Sequence, residues 1–199
     1  ANYPSIRTGL LAAQPAWVQP TRELDHRTGF YLGLHWLSQD DTEVRLYHYD
    51  NNGDPTVLRH GQYAWDTQMD SVAWQQQLTD NLRLVGQYLS GSTEMGYDTV
   101  LVDYQSWFTL LHYDAGQYRL NLRYDHWQQQ DRDQYAPDDN QGRGHGWNIN
   151  LQVPMSAHWM LALEWSRLNT HQASRAQWQG WPVQQHFQQL QLLLNWRFE

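Results

Sequence analysis

The chain has 199 residues, enough for one domain of ordinary size. No run of about eighteen apolar residues exists, which excludes helical membrane spans but not strand-built ones. A net charge of −8 without a basic stripe argues against nucleic acid as a partner, and the absence of Cys removes disulfide, thiol and Cys-zinc chemistry.

Ala1-Asn2-Tyr3-Pro4 has neither the basic nor the apolar region of a signal peptide. Residues 1–27 read as a loop-like extracellular segment or as an additional strand, Ser5–Ala13, in which Ile6, Leu10 and Ala12 share a face. From residue 28 onward, period-two alternation predicts nine strands: 28–38, 42–50, 62–77, 82–90, 99–113, 117–129, 145–153, 158–169 and 186–198. Tyr118, Leu120, Leu122 and Tyr124 alternate with Arg119, Asn121, Arg123 and Asp125. Trp147, Ile149, Leu151 and Val153 alternate with Asn148, Asn150 and Gln152. Trp159, Leu161, Leu163 and Trp165 form a further apolar row, as do Leu190, Leu192, Leu194, Trp196 and Phe198. Two strands are less regular. In 62–77 the polar set Asp66, Gln68, Asp70 gives way to Val72 and Trp74 on one parity, which a bulge or a departure from the bilayer would explain; Gly86 interrupts the row of Leu84 and Tyr88.

Short links at 38–41, 78–81, 114–116 and 154–157 alternate with long polar ones at 51–61, 91–98, 130–144 and 170–185. Strands of about ten residues with short turns on one rim and long loops on the other predict an antiparallel transmembrane β-barrel. The 12 Trp and 12 Tyr fit aromatic girdles. Tyr118, Trp159, Trp196 and Phe198 fall at the short-turn ends, Tyr124, Trp147, Trp165 and Phe187 toward the other end.

The opposite row predicts a lumen containing Glu43, Arg45, Tyr47, Asp103, Arg119, Asn121, Arg123, Asp125, Asn150, Glu164 and Arg197. With both charge signs present, weak ion selectivity is expected. The bland alternative is a cross-strand network filling a plugged or narrow barrel. Catalysis is not expected: no Ser has a base partner, and Asp125 and His126, adjacent on a strand, point to opposite faces. His35 and Glu164 are the remaining pair that a lumen would bring together. Asp50-Asn51-Asn52-Gly53-Asp54 is similar to a calcium loop but has Gly61 where an EF-hand needs Glu. Asp131, Asp133, Asp138 and Asp139 form a second acidic loop, and turn formation accounts for both. No cofactor or metal is expected.

The run Leu190-Gln-Leu-Leu-Leu-Asn-Trp-Arg-Phe198 resembles the closing strand of outer-membrane proteins, with Glu199 a departure from its terminal aromatic. Arg22 to Tyr31, Tyr47 to Asn51, Gly61 to Thr67 and Gly91 to Gly96 resemble a poorly characterised family of porin-like outer-membrane proteins of proteobacteria, over most of residues 22–198. That resemblance implies a Gram-negative outer-membrane location, lipid and lipopolysaccharide as surroundings, and recognition of the C-terminal strand by the barrel-assembly machinery. It implies no catalytic residues. Family members are about twice this length, and nine is an odd number where bacterial barrels have even counts. The chain therefore reads as the C-terminal half of a larger barrel, completed by an N-terminal half or a second copy. A self-contained closed barrel acting as a structural or surface-interaction module is the alternative, with a hydrolase active at the rim a third reading.

Overall fold

The structure is a computed structural model that describes residues 17, 19, 22–97, 99–136 and 138–196, with the backbone alone at Trp178 and Gln179. The proposed strand at Ser5–Ala13, and Arg197 and Phe198, lie outside the described residues. All nine expected strands form. They are β1 (Phe30–Leu37), β2 (Glu43–Asp50), β5 (Asp66–Thr79), β6 (Leu82–Met95), β7 (Val100–Asp114), β8 (Arg119–Asp131), β9 (Gly142–Pro154), β10 (Trp159–Gln172) and β11 (Gln184–Trp196). A two-residue hairpin, β3 (Leu58–Arg59) with β4 (Gln62–Tyr63), and a helix, α1 (Ser174–Gln179), sit within connections. Spatial order equals chain order and every neighbouring pair is antiparallel, so the sheet is one continuous meander. The expected barrel is not closed within the described residues: β1 and β11 are the two open edges of a nine-stranded sheet.

Alternation drives this architecture, because each strand assigns one side-chain set to each face. The apolar face carries Leu32, Leu34 and Trp36, then Leu46, Val72, Leu84, Trp107 and Leu111. It continues through Leu122, Ile149 and Leu163 to Leu190, Leu192 and Leu194. No layer covers it among the described residues; Leu34, Leu192 and Leu194 are 62%, 70% and 59% exposed. The apolar belt also slants across the ladder. The ladder row that begins at Leu34, Leu46, Val72 and Tyr88 passes through Trp107 and ends at His126, His145, Asn169 and His186. A belt of constant height crossing tilted strands has that geometry. Ser71, Val100, Val102 and Ala162, the buried strand residues with side chains, all project from the other, polar face.

Several expectations are corrected. The link at 91–98 is not a long loop: β6 runs on to Met95 and a tight connection through Gly96, with φ +71°, leads to β7. Ser92, Thr93 and Glu94 all stay in the sheet: Thr93 projects from the other face, where its hydroxyl meets that of Thr67, and Ser92 and Glu94 are polar because they stand beyond the belt. The parity change in 62–77 comes from the same cause. β5 keeps an unbroken register from Asp66 to Gln77, the bulge falling only between Gln77 and Thr79. At Gly86 the missing side chain is replaced by the Trp74 indole, which a Cβ there would overlap.

Candidate functional site: the polar face

Of the expected lumen residues, the register places Glu43, Arg45, Tyr47, Arg119, Asn121, Arg123, Asp125, Asn150 and Glu164 on one face. Asp103 is a correction. It pairs with Ser92 and Gln130, whose parity is that of Tyr124 and Leu122, so it stands on the apolar face beyond the belt, held by Arg132 at 3.0 Å. The cause is β7 itself, which is apolar on both faces and offers no alternation to fix parity.

A hydrogen-bonded chain crosses four strands. His112 Nδ1 and Asn121 Oδ1 lie 2.7 Å apart, Asn121 Nδ2 donates to Asn150 Oδ1 at 3.3 Å, and Asn150 Nδ2 donates to Glu164 Oε2 at 3.2 Å. Gln152 donates to the same Asn150 oxygen, while Asn148 Nδ2 donates to Ser166 Oγ at 2.9 Å. Beside this chain, Arg123 grips Asp125 through Nε and Nη2 at 2.6–2.9 Å, its guanidinium 3.9 Å above the Phe108 ring. On β2, Arg45 Nε donates to Glu43 at 2.7 Å and His35 reaches the same carboxylate; Tyr47 packs where Gly33 lacks a Cβ. Arg119 Nε donates to Asp114 at 3.1 Å near the short-turn end. These pairs are more than one-third exposed on at least one side, so water screens them and they add little stability. Their effect is to fix orientation: Arg45, Arg119 and Arg123 each face an acid, while Glu164 receives Asn150 and Arg83 holds Gln77.

Sequence reasoning missed Ser71, Gln87, His112, Phe108 and Ser166 as members of this face. Gln87 donates to Ser71 Oγ at 3.0 Å. Their only advance signal is the parity they share with paired neighbours. The expected His35–Glu164 pair is not brought together, since His35 stands on edge strand β1 and engages Glu43, whereas Glu164 stands on β10 and receives Asn150. Asp125 and His126 point to opposite faces.

The expected aromatic positions within the described residues fall on the apolar face in two groups, except Phe187, a correction: it pairs with Leu168 on the polar face because the apolar row of β11 runs through the even positions Leu190, Leu192 and Leu194. Tyr113 and Tyr118 (6.4 Å between centroids) and the stacked Trp159 and Trp196 (5.5 Å) stand at the short-turn end. Trp107, Tyr124 and Trp147 form the other group, Tyr124 lying 5.3 and 4.7 Å from its neighbours. Trp165 lies one ladder row inside Trp147, between Ile149 and Leu190.

At the long-loop end, residues 22–29 close onto the 51–65 connection, burying Leu24 and Ala64. Asp25 accepts the Asp54 amide at 2.7 Å, and Arg27 pairs with Asp54 at 3.1 Å. Hydrogen bonds from the Thr56 hydroxyl and amide hold the Asp54 carboxyl below the usual range, with Arg27 assisting. Burial pushes the Asp66 carboxyl above it, reinforced by Asp50. In the second acidic loop Asp131, Asp133 and Asp139 accept amide hydrogens of their own turn.

No protein-family model, curated protein or solved structure matches the chain.

Proposed function

We propose that this chain forms part of the wall of a transmembrane β-barrel in the outer membrane of a Gram-negative bacterium, a porin-like channel for passive diffusion of small hydrophilic solutes. The observation that carries the reading is the inverted distribution of polarity. One face rich in paired charges and amides opposes an apolar belt that no described layer covers, that slants across the ladder and that is bounded by aromatics. A soluble sheet would bury such a belt against a second layer, and among the described residues there is none. Hydrated acids and arginines in matched pairs suit a weakly selective pore, and no covalent step is assigned to them. A bore wide enough for solutes requires more strands than nine, because barrels of about eight to ten are filled by their own side chains. The remaining strands belong to an N-terminal half or to a further copy, as the family resemblance implies.

Single-channel conductance of the full-length native protein in a planar bilayer tests this. Stable openings of porin size are expected. Silence from inserted, folded protein would replace the channel by a closed structural or surface-interaction barrel.

A further inference from the structure

The apolar face does not end uniformly where it turns polar toward the long loops. Over β2–β7 its polar margin is acidic, with Asp50, Asp70, Glu94 and Asp103. Over β8–β11 the margin contains no carboxylate. It carries His126, His145, His171, His186, Arg143 and Arg167. Three of these histidines share one ladder row with Asn169, whose amide lies 3.1 Å from His145 Nε2 and 2.6 Å from His186 Nδ1. That row spans three strand spacings, about 14 Å. His126, His145, His171, His186, Arg143 and Asn169 line an open cleft of about 400 Å³. Inside it, His126 Nδ1 and His171 Nδ1 are buried without a hydrogen-bond partner.

Arg45, Arg119, Arg123 and Arg132 each hold a carboxylate, and Arg83, on the polar face, holds the Gln77 amide; no described carboxylate pairs with Arg143 or Arg167, which stand on the apolar face. The nearby loop acids are turned inward onto their own amides. Two guanidinium groups beside an imidazole row, with no carboxylate on that margin, at the upper edge of an apolar belt match one chemistry: a phosphate monoester whose attached chains lie against the belt.

We infer that this margin of β8–β11 binds the phosphorylated headgroup of an outer-leaflet lipid, with Arg143 and Arg167 supplying charge and the histidine row supplying further N–H donors. Trp147 and Tyr124, immediately below, would lie along the sugar–acyl boundary. The inference rests on the apolar face being lipid-exposed.

The test uses the full-length protein reconstituted in phosphatidylcholine vesicles. The vesicles contain either diphosphorylated lipid A or the same lipid stripped of both phosphates, and the lipid retained per protein is measured after extraction in mild detergent. Phosphorylated lipid A is expected to be retained about tenfold or more over the stripped form, and R143Q/R167Q to lose that preference. D70N, on the acidic margin, should retain it. Equal retention of the two lipids, or an undiminished preference in R143Q/R167Q, overturns the inference. So does loss of the lipid to excess inorganic phosphate, which would mark a site for a free anion. If the wild-type protein does not insert at all, the membrane reading itself fails. Insertion without phosphate preference removes only the headgroup site.

Discussion

Replacing Leu122 by Arg places a guanidinium in the middle of the apolar belt. Leu122 lies between Leu111 and Ile149 on the ladder, with Leu84 and Trp165 one strand further out, so five strands of apolar surface surround the substitution. At the midplane of a bilayer Arg on a lipid-facing strand position costs about 2–4 kcal/mol. At about 1.4 kcal/mol per decade this is roughly a 30- to 700-fold shift in the folding equilibrium. The neighbouring substitution Asn121→Arg meets the polar face. It removes bonds to His112 and Asn150 that water replaces, costing at or below about 1 kcal/mol. Urea titrations of both variants and wild type in lipid vesicles, followed by Trp fluorescence, measure the difference. If Arg at 122 is tolerated as well as Arg at 121, the belt does not face lipid and the assignment of the two faces is wrong.

Arg123→Gln leaves Asp125 without its bidentate partner, so the reversal potential in a salt gradient should move toward cation preference; an unchanged potential would place this pair away from the conducting path. A Cβ at Gly91 would overlap the Gln68 carbonyl oxygen, a backbone atom that cannot rotate away. Gly91→Val should therefore destabilise the β5–β6 pairing by about 1–3 kcal/mol, seen as a lower urea midpoint. Because the Asp54 carboxyl is held below its unfolded value, its clamp on Thr56 and Arg27 is fully present above the ordinary carboxylate range and is lost as pH falls through that lowered value. After correction for the intrinsic slowing of exchange in acid, protection of the Thr56 amide should fall as pH falls through that lowered value, and Asp54→Asn should remove this pH dependence.

The strands were legible wherever one row was apolar and the other polar, as at Tyr118–Trp127 and Trp147–Val153. Face assignment failed at Asp103 for the opposite reason. Val102 and Phe108 on one side and Trp107 and Leu111 on the other make β7 apolar on both, and only its partners Ser92 and Gln130 reveal its parity. The extent of strands was also underread. Polar residues such as Ser92 and Glu94 read as loop, yet a ladder hydrogen-bonds through backbone groups and does not require apolar side chains once it passes the belt. The individual polar pairs were legible as a row but not as a network. His112 meets Asn121 because of cross-strand register, which depends on where the 115–118 turn closes.

Among the described residues β1 and β11 pair on one side only, which bears on how a barrel built from this sheet would assemble. On an edge strand alternate residues direct both N–H and C=O outward, roughly four residues along β1 and six along β11. In hydrocarbon each such unsatisfied group costs several kcal/mol, far beyond what the belt residues next to it return. On the proposed membrane reading, a wall with those margins open could not enter a bilayer first and find its neighbours afterwards. Sealing the seam and crossing into lipid would then be one coupled equilibrium, and an agent capping either margin with a competing strand would leave the chain in water rather than merely leaky in the membrane.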